Sequence, residues 1–378
     1  MAAILVNTRN ITAPLTGVQR YTVEMLRELA EEVAPAGPWL NLRGKLGHLW
    51  EQTVLPSKVY GRLLWSPGNT GPLAVRNQVV TVHDLAMFDQ AQCYRDGFGH
   101  WYRWLMPRLV RRVRAVIVNS RFTRDRLLAM TEVEPGRVHV VHLGVCSHFR
   151  PNAGKPPTLP FRRYILCLGS LEPRKNLPRL LHAWQSVAPS LDPDLGLVLA
   201  GGEGSRLIYP DQALPLPPRT CAIGRVPESE LPGLLANATA FAYPSLYEGF
   251  GLPPLEAMAS GVPVLSSHAG ALSETLGDAA LLIDPNDVGA IAAGLRKIAL
   301  DQGLRQSLRH RGFEQAKRFR WRTCAQATKA VFAQVIDAQA EESPPTEGHL
   351  PLSDRRPHSP DHGVPRALLK VLDRRRAA

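Results

Sequence analysis

The chain has 378 residues and a net charge of +12, from 45 basic and 33 acidic side chains. The length allows two domains with sizeable cores, and 44% hydrophobic and 21% charged residues are typical of a soluble globular protein. No apolar run approaches the roughly 18 residues of a membrane-spanning helix, so an integral membrane protein is not expected.

The N-terminal sequence, the cysteines and the charge indicate which class of soluble protein this is. The start, "MAAILVNTRN", lacks the basic segment and small-residue cleavage site of a signal peptide and is interpreted as a first strand. The five cysteines have no metal-like spacing, which predicts reduced core thiols in a cytoplasmic protein. The positive charge indicates an anionic partner: nucleic acid, a phosphorylated small molecule or an acidic membrane surface.

The first half alternates short valine-rich runs with helical patterns. A helix is predicted in "GVQRYTVEMLRELAEEV", residues 17–33, and strands in "AILVN", "LLWS", "VVTVHDL", "AVIVNS" and "VHVVHLGV". Buried strands that alternate with helices predict a parallel sheet covered on both faces. Residues 1–150 are therefore interpreted as one doubly wound domain.

A basic aromatic segment lies inside this half. Residues 98–126 hold eight arginines against one acid, Asp125. A helical spacing places several apolar side chains on one face, namely Tyr102, Leu105, Met106, Leu109 and Val113. Two interpretations stay open. The segment could be an interfacial helix on anionic lipid, with Trp101 and Trp104 beside the arginines. Alternatively, it is a surface helix that packs on its own domain and whose arginines are solvated.

A proline-rich linker at residues 151–162 precedes a second run of alternating patterns. Strands are predicted in "YILCLGS", "LGLVLAGG", "TCAIGRV", "TAFAYPS", "PVLSS" and "AALLID", and long helical patterns occupy residues 287–340. This predicts a second doubly wound domain at 163–320, a C-terminal helix at 321–340 and a disordered tail at 341–378. The basic end of the tail, "VPRALLKVLDRRRAA", is either solvated or a short membrane-contacting helix.

The stretch "YPSLYEGFGLPPLEAMASG" carries the clearest chemical signal. A buried strand ends at Ser245, and two prolines then favour a helix whose first turn would hold Glu256. The glycines of "EGFG" let free N–H groups approach a diphosphate at the helix N-terminus. An acid beside such a site, Glu248, is best explained by sugar hydroxyls, one carboxylate on a ribose and the other on a hexose. For Glu256 alone, an acid favoured by the helix dipole explains the residue equally well.

Further candidates follow other predicted strands. In "LGSLEPRKNLPRLL", Arg174 and Lys175 stand between a strand and a helix, where adjacent cations can clamp phosphates, although solvated surface charges are the alternative. His83 follows the strand of "TVHDL" and would face the cleft, although a histidine satisfied within the core is the alternative. Gly17 begins the first helix and could face the same phosphates. The glycines of "AGGEG", residues 200–204, are weak evidence of a nucleotide loop. Asp192 and Asp194 in "LDPDL" imitate a metal-binding pair, but they lie in a turn and no metal is predicted.

Together these residues resemble the retaining GT-B glycosyltransferases of family 4. "EGFGLPPLE" is similar to the two-glutamate motif of that family, and "GSLEPRKN", "VHDL" and "GDAALLIDP" occur in the family's order. "HLWEQTVLP", residues 48–56, resembles a mannosyltransferase-like branch. The resemblance covers about residues 1–335 and implies two Rossmann-like domains that face each other across a cleft.

The resemblance also implies roles for the candidates. Glu256 would hold the ribose hydroxyls of a nucleoside diphosphate sugar, and Glu248 would contact the transferred hexose near its C3 hydroxyl. Lys175, with Arg174, would stabilise the departing diphosphate. Many relatives carry arginine where this chain has Ser170, and Arg174 is expected to supply that charge.

The remaining roles concern the backbone and the first domain. The backbone of Gly249, Phe250, Gly251 and Leu252 would contact the donor. His83 would approach the hexose near C6, and Gly17 would flank the diphosphate. No metal or other cofactor is implied.

The functional prediction is a glycosyltransferase that moves mannose from GDP-mannose to a lipid-linked saccharide in exopolysaccharide or lipopolysaccharide assembly. It would be cytoplasmic and could be peripheral on the inner face of the plasma membrane, where an anionic surface is a possible partner. The alternatives are transfer of another hexose from a UDP-sugar and, in a different class, a nucleotide-sugar epimerase. A nucleic-acid binder is disfavoured because the basic segment lacks a known binding module.

Overall fold

The computed structural model describes residues 4–12, 16–40, 42, 44–94, 96–202 and 215–342. Within these residues the chain forms two six-stranded sheets. The paired strands run parallel in both sheets. The predicted α/β class with two doubly wound halves is therefore confirmed.

The first sheet and its helices come from residues up to 140. Its strands β1–β6 are Ile4–Asn7, Val33–Ala36, Leu63–Ser66, Gln78–Val82, Ala115–Val118 and Val138–Val140. Across the sheet they follow the order β2-β1-β3-β4-β5-β6. The helices α1–α6 are Gly17–Glu28, Gly44–Thr53, Leu55–Val59, Ala86–Asp89, Asp96–Arg112 and Arg121–Met130.

The second sheet begins at residue 163, after a predicted linker that carries neither helix nor strand. Its strands β7–β12 are Arg163–Leu168, Leu195–Ala200, Thr220–Gly224, Ala240–Tyr243, Val264–Ser267 and Ala280–Ile283. Across the sheet they follow the order β12-β11-β10-β7-β8-β9. The helices α7–α13 are Leu177–Val187, Leu231–Ala236, Leu252–Ala259, Leu272–Leu276, Val288–Leu300, Gln302–Lys317 and Trp321–Glu342.

The first predicted helix is too long. The prediction ran to Val33, whereas α1 ends at Glu28 and Val33 begins β2, which pairs with β1 from Ile4 onward. The strand was missed because "VAPA" contains Pro35. Proline is tolerated there because β2 lies at the edge of the sheet.

Residues 98–112 of the basic aromatic segment lie in α5, and the predicted apolar side of this helix is buried. Tyr102, Leu105 and Leu109 are each at most 8% exposed. Trp104 is 44% exposed and stacks on Trp101, with 5.4 Å between ring centroids. The helix therefore packs on its own domain through the predicted face, and the outer face leaves Trp104 and several arginines at the surface.

The last helix returns to the first domain. The indole N–H of Trp321, at the start of α13, donates to the Cys146 Sγ at 3.3 Å, and the Phe332 ring packs edge-on against Trp65 at 5.4 Å. One buried apolar cluster consequently continues from the first sheet to the second. All five cysteines are unpaired, and four of them are buried.

In the part of the chain that the structure describes, none of the helices has the length and apolarity needed to cross a bilayer. Of the predicted tail, residues 343–378 lie outside the described residues, as do Glu203 and Gly204 of the "AGGEG" segment.

Candidate functional site

The carboxylate of Glu248 is the centre of a buried polar cluster. Its Oε1 accepts hydrogen bonds from the Lys175 ammonium at 2.7 Å, the Tyr243 hydroxyl at 2.9 Å and the Ser245 hydroxyl at 2.7 Å. The guanidinium of Arg174 donates to Oε2 at 3.1 Å. The structure thus brings the adjacent cations Arg174 and Lys175 to Glu248, which lies 73 residues after Lys175 in the sequence.

The sheet order explains this meeting. Strands β7 and β10 are neighbours, so the turns that follow them share one edge of the sheet. After β7 the chain makes a short 3₁₀ turn, Pro173–Lys175, that ends on Asn176 in the left-handed region at φ 62°. Asparagine is one of the few non-glycine residues that adopt this conformation readily. Its side-chain amide donates to the carbonyls of Pro244 and Pro285, at 3.0 and 2.7 Å, and so fixes the two cations beside β10.

The electrostatics of the cluster keep Glu248 ionised. Burial alone would raise the pKa of this carboxyl, but Lys175 and Arg174 outweigh it and lower the pKa from 4.5 to about 2. Glu248 is therefore an anion at neutral pH and not a proton donor. Burial together with the Glu248 charge raises the pKa of the Tyr243 hydroxyl, so the phenol stays protonated and donates.

The loop from Gly249 to Gly251 presents N–H groups to the same region. The Gly249 carbonyl accepts from the hydroxyls of Ser120 and Thr123, at 2.7 and 3.3 Å, and the Phe250 carbonyl accepts from Thr275. Within the described residues, no acceptor lies within hydrogen-bond reach of the loop's own N–H groups. Since α9 starts directly after Gly251, these groups form a helix N-terminus suited to an anion.

Two glycines of this loop are required by the backbone. A Cβ on Gly249 would lie 1.9 Å from the His83 carbonyl oxygen, so only glycine allows the two domains to approach here. Gly251 has φ +98°, which side-chain-bearing residues rarely adopt. The side chain of Phe250 is buried against Phe319, which leaves only its backbone for a ligand.

His83 follows β4 and lies at this contact between the domains. Its Nε2 donates to the Pro67 carbonyl at 2.8 Å, and its ring packs edge-on against Tyr21 at 4.8 Å. Burial lowers the pKa of the imidazole, so it is neutral at pH 7. Because Nε2 is occupied, Nδ1 is the atom with which His83 could meet a ligand.

Glu256 is buried in α9 and meets an arginine of the other domain. The Arg20 Nε, on α1, lies 3.5 Å from the Glu256 carboxylate, and its Nη2 donates to Glu228 at 2.8 Å. Burial raises the pKa of Glu256 in spite of Arg20. The prediction that Glu256 falls in the first turn is wrong: the helix begins at Leu252, so Glu256 lies in the second turn. Gly17 begins α1 as predicted and faces Leu252.

Several residues of the site were missed. Glu172 accepts from the Arg174 Nε at 2.8 Å and orients that guanidinium, and Ser170, the departure from the family motif, bonds to Glu172. Arg20, Tyr243 and Ser245 were also not identified. Glu172 stands inside the quoted "SLEPRKN" and its spacing could have suggested it, whereas Arg20 and Tyr243 are connected to the site only through the tertiary fold.

The arrangement is suited to holding a diphosphate and a polyol. Arg174 and Lys175 lie at the carboxyl-end edge of the second sheet beside Glu248, which accepts from the hydroxyls of Tyr243 and Ser245, and the loop of Gly249 to Gly251 follows directly in the chain. Asp192 and Asp194, by contrast, pair with Arg163 and Arg162 at 2.9 and 3.7 Å, away from this edge.

Comparison with known proteins gives two family matches. Residues 154–315 match the family Glycosyl transferases group 1, and residues 55–148 match Glycosyltransferase Family 4. Together the two matches cover the second sheet and strands β3 to β6 of the first sheet.

Individual relatives and solved structures agree with these matches. The chain is 28% identical over 376 residues to O-antigen chain mannosyltransferase B of Escherichia coli, a match covering 86% of this chain and 98% of that protein. It is 33% identical over 250 residues to the MMP alpha-(1->4)-mannosyltransferase of Mycolicibacterium hassiacum, covering 62% and 58% of the two chains. The fold is similar to sucrose-phosphate synthase from Thermosynechococcus elongatus, with a TM-score of 0.69 at 18% identity, covering 89% of this chain and 99% of that one.

Proposed function

Because the chain belongs to the group 1 and family 4 glycosyltransferases and has the GT-B fold, we propose that it is a retaining mannosyltransferase. The proposed donor is GDP-mannose, and the proposed acceptor is a lipid-linked saccharide in exopolysaccharide or lipopolysaccharide assembly. The observation that carries the proposal is the buried cluster of Glu248, Lys175 and Arg174 at the domain contact. The similarity to O-antigen chain mannosyltransferase B over nearly its whole length supports the choice of sugar.

In this proposal the diphosphate of the donor lies between the two cations and the loop N–H groups. Arg174 and Lys175 neutralise its charge, and the N–H groups of Gly249 to Gly251 donate to its oxygens. Breaking the bond between sugar and phosphate builds negative charge on the diphosphate. Fixed donors that face this charge supply the main catalytic effect, with no metal needed for it.

The carboxylates and His83 position the two ends of the donor. Glu248 contacts the hexose near C3 while it anchors both cations, and Glu256 receives the ribose hydroxyls near Arg20. Neutral His83 approaches the hexose near C6 through Nδ1. Transfer with retention then proceeds on the front face of the sugar, and the departing phosphate oxygen takes the proton of the acceptor hydroxyl.

An exposed apolar surface on the first domain supports a lipid-linked acceptor. Large side chains of the loop after β2 and of α2 and α3 are exposed, with Trp39 94% and Tyr60 84% accessible. We call this surface the apolar face; its members are Trp39, Leu40, Leu46, Leu49, Val54 and Tyr60. The one acid of residues 38–62, Glu51, is buried beside Arg9, so no exposed acid opposes contact with anionic lipid.

The apolar face gives a testable prediction about membrane binding. We expect Leu46→Ser with Leu49→Ser to weaken binding to phosphatidylglycerol vesicles about 30-fold, because the loss of roughly 1 kcal/mol of apolar burial for each leucine adds up to about 2 kcal/mol. Co-sedimentation with vesicles measures the effect. The control is Leu300→Ser with Ile336→Ser, which alters two exposed apolar residues elsewhere. Equal binding of both double variants to the vesicles would show that the apolar face does not contact the membrane.

The donor is tested by protection against thermal unfolding. A ligand that binds only the folded state raises its stability, by about 2.7 kcal/mol at a concentration 100 times its Kd. We expect GDP to raise the melting temperature more than UDP or ADP at equal concentrations. Protection by UDP without protection by GDP would contradict the GDP-mannose assignment and favour the alternative, a UDP-sugar-dependent hexosyltransferase.

A further inference from the structure

A second charged cavity, of about 660 Å³, lies in the first domain on the side away from the domain contact. Its walls come from the amino ends of β4, β5 and β6, the end of α5 and the end of α13. The site described above lies at the carboxyl ends of the strands. Of the site described above, His83 follows the carboxyl end of β4, so the cavity lies at the opposite end of the strands of the first sheet.

Arginine dominates the lining of this cavity. Neighbouring strands are each preceded by one arginine, Arg76 before β4, Arg114 before β5 and Arg137 before β6. The last turn of α5 adds Arg111 and Arg112. The helix dipole favours cations at a helix C-terminus, which explains Arg111 and Arg112. It does not explain the three arginines that precede strands.

The acids around the cavity do not neutralise all of these arginines. Glu342, the acid among the lining residues, binds the two Nη atoms of Arg114 at 2.7 Å each. Arg111 pairs with Glu132 at 2.7 Å and Arg137 with Glu134 at 3.1 Å. Within the described residues, the guanidinium groups of Arg76 and Arg112 have neither an ion pair nor a hydrogen bond.

We propose that this pocket binds a phosphate group, from either a lipid headgroup or a soluble phosphorylated compound. Guanidinium groups match phosphate oxygens with two parallel hydrogen bonds, which makes arginine the preferred residue for such sites. The fork that Arg114 makes with Glu342 shows this geometry with a carboxylate. Arg76 and Arg112 are the groups left to receive the phosphate. The inference does not depend on the proposed transfer of mannose.

The test is protection of individual arginines from phenylglyoxal in the wild-type protein, measured by peptide mass spectrometry. One arm adds inorganic pyrophosphate, and the other adds vesicles of phosphatidylglycerol, with phosphatidylcholine vesicles as their reference. We expect modification of Arg76 and Arg112 to fall about tenfold, because charge-assisted hydrogen bonds to the phosphate oxygens would shield both guanidinium groups. Arg296 and Arg322, exposed on other helices, should react as before.

The two arms distinguish the source of the phosphate. Protection by pyrophosphate and not by phosphatidylglycerol identifies a soluble ligand, and protection by the vesicles identifies a headgroup. Either outcome supports phosphate binding in the pocket. No protection in both arms, or equal protection of Arg296 and Arg322, overturns it.

A pair of variants distinguishes phosphate binding in this pocket from binding at the proposed diphosphate site at the domain contact. Arg76→Gln with Arg112→Gln should lower the calorimetric stoichiometry of pyrophosphate by one site, and the charge-matched pair Arg296→Gln with Arg322→Gln should not. Transfer to a soluble acceptor should be the same in both pairs, since neither touches the domain contact. An unchanged stoichiometry in the first pair contradicts the proposal whatever the activity.

Discussion

Replacement of Glu248 by alanine is expected to lower the rate of sugar transfer by about 100- to 1000-fold, the range seen when a charge-positioning group of an active site is removed. The physical reason is that one carboxylate holds both cations, Lys175 at 2.7 Å and Arg174 at 3.1 Å, in addition to its proposed contact with the hexose. Without it, the two cations lose their orientation toward the diphosphate. Initial rates with donor and acceptor both saturating measure the loss.

Folding must be separated from catalysis in this experiment, because loss of one partner of a buried ion pair is destabilising by several kcal/mol. Glu248→Gln preserves the shape of the side chain and should lose transfer with a smaller loss of thermal stability. Glu132→Gln, at an exposed glutamate that is 77% accessible and also pairs with an arginine, is the matched control and should leave the rate unchanged. Near-normal turnover in a folded Glu248→Ala protein would refute the role assigned to this residue.

The fold was predictable to the extent that each element carries its own pattern. Strands β4 and β5 are valine-rich and fully buried, so their sequences alone identify them. Edge strand β2 has four residues with a proline among them, and its pairing with β1 is what makes it a strand. Helices α2 and α3 were missed for a related reason: their exposed apolar side chains hide the amphipathic period.

The residues of the site likewise divide into those that the sequence identifies and those that only the tertiary fold brings together. Glu248, Lys175 and Gly249 were identified because the glycines, prolines and charges stand together in short segments. Tyr243 ends an apolar strand and resembles any core aromatic in the sequence, yet its hydroxyl lies between Lys175 and Glu248. Arg20 lies 236 residues before Glu256 and contacts it only because α1 and α9 face each other across the domain contact.

The contact between domains is itself built from site residues. Ser120, which caps α6, donates to the Gly249 carbonyl, while Glu274 of the second domain accepts from the N–H groups of Arg121 and Phe122 at the start of the same helix. The N-terminus of α6 is thus held by a carboxylate from the opposite domain. The loop of Gly249 to Gly251, which is proposed to contact the diphosphate, is consequently fixed by the first domain. Substitutions at this contact should therefore alter both the domain contact and donor binding.

Lys175→Met is expected to lower the transfer rate about 100-fold or more, as the loss of a group that stabilises developing charge does. Methionine retains most of the length of the side chain but removes the ammonium that reaches the Tyr243 hydroxyl and Glu248, both at 2.7 Å. Because the leaving diphosphate gains charge as the bond breaks, the loss should appear mainly in kcat, with a smaller rise in the KM for the donor. Steady-state kinetics over a range of donor concentrations separates the two.

The outcome of this substitution depends on whether Lys175 acts on the ligand or only on its neighbours. Tyr243→Phe removes one of its partners and leaves the ammonium in place, so a smaller loss of rate is expected if the ammonium itself meets the diphosphate. Lys297→Met, at an exposed position on α11, controls for the change of charge and should leave kcat as it is. Two results would contradict a contact between Lys175 and the diphosphate: an unchanged kcat in Lys175→Met, or a loss of kcat no larger than that of Tyr243→Phe. In either case the role of the cation would be to hold the turn against β10.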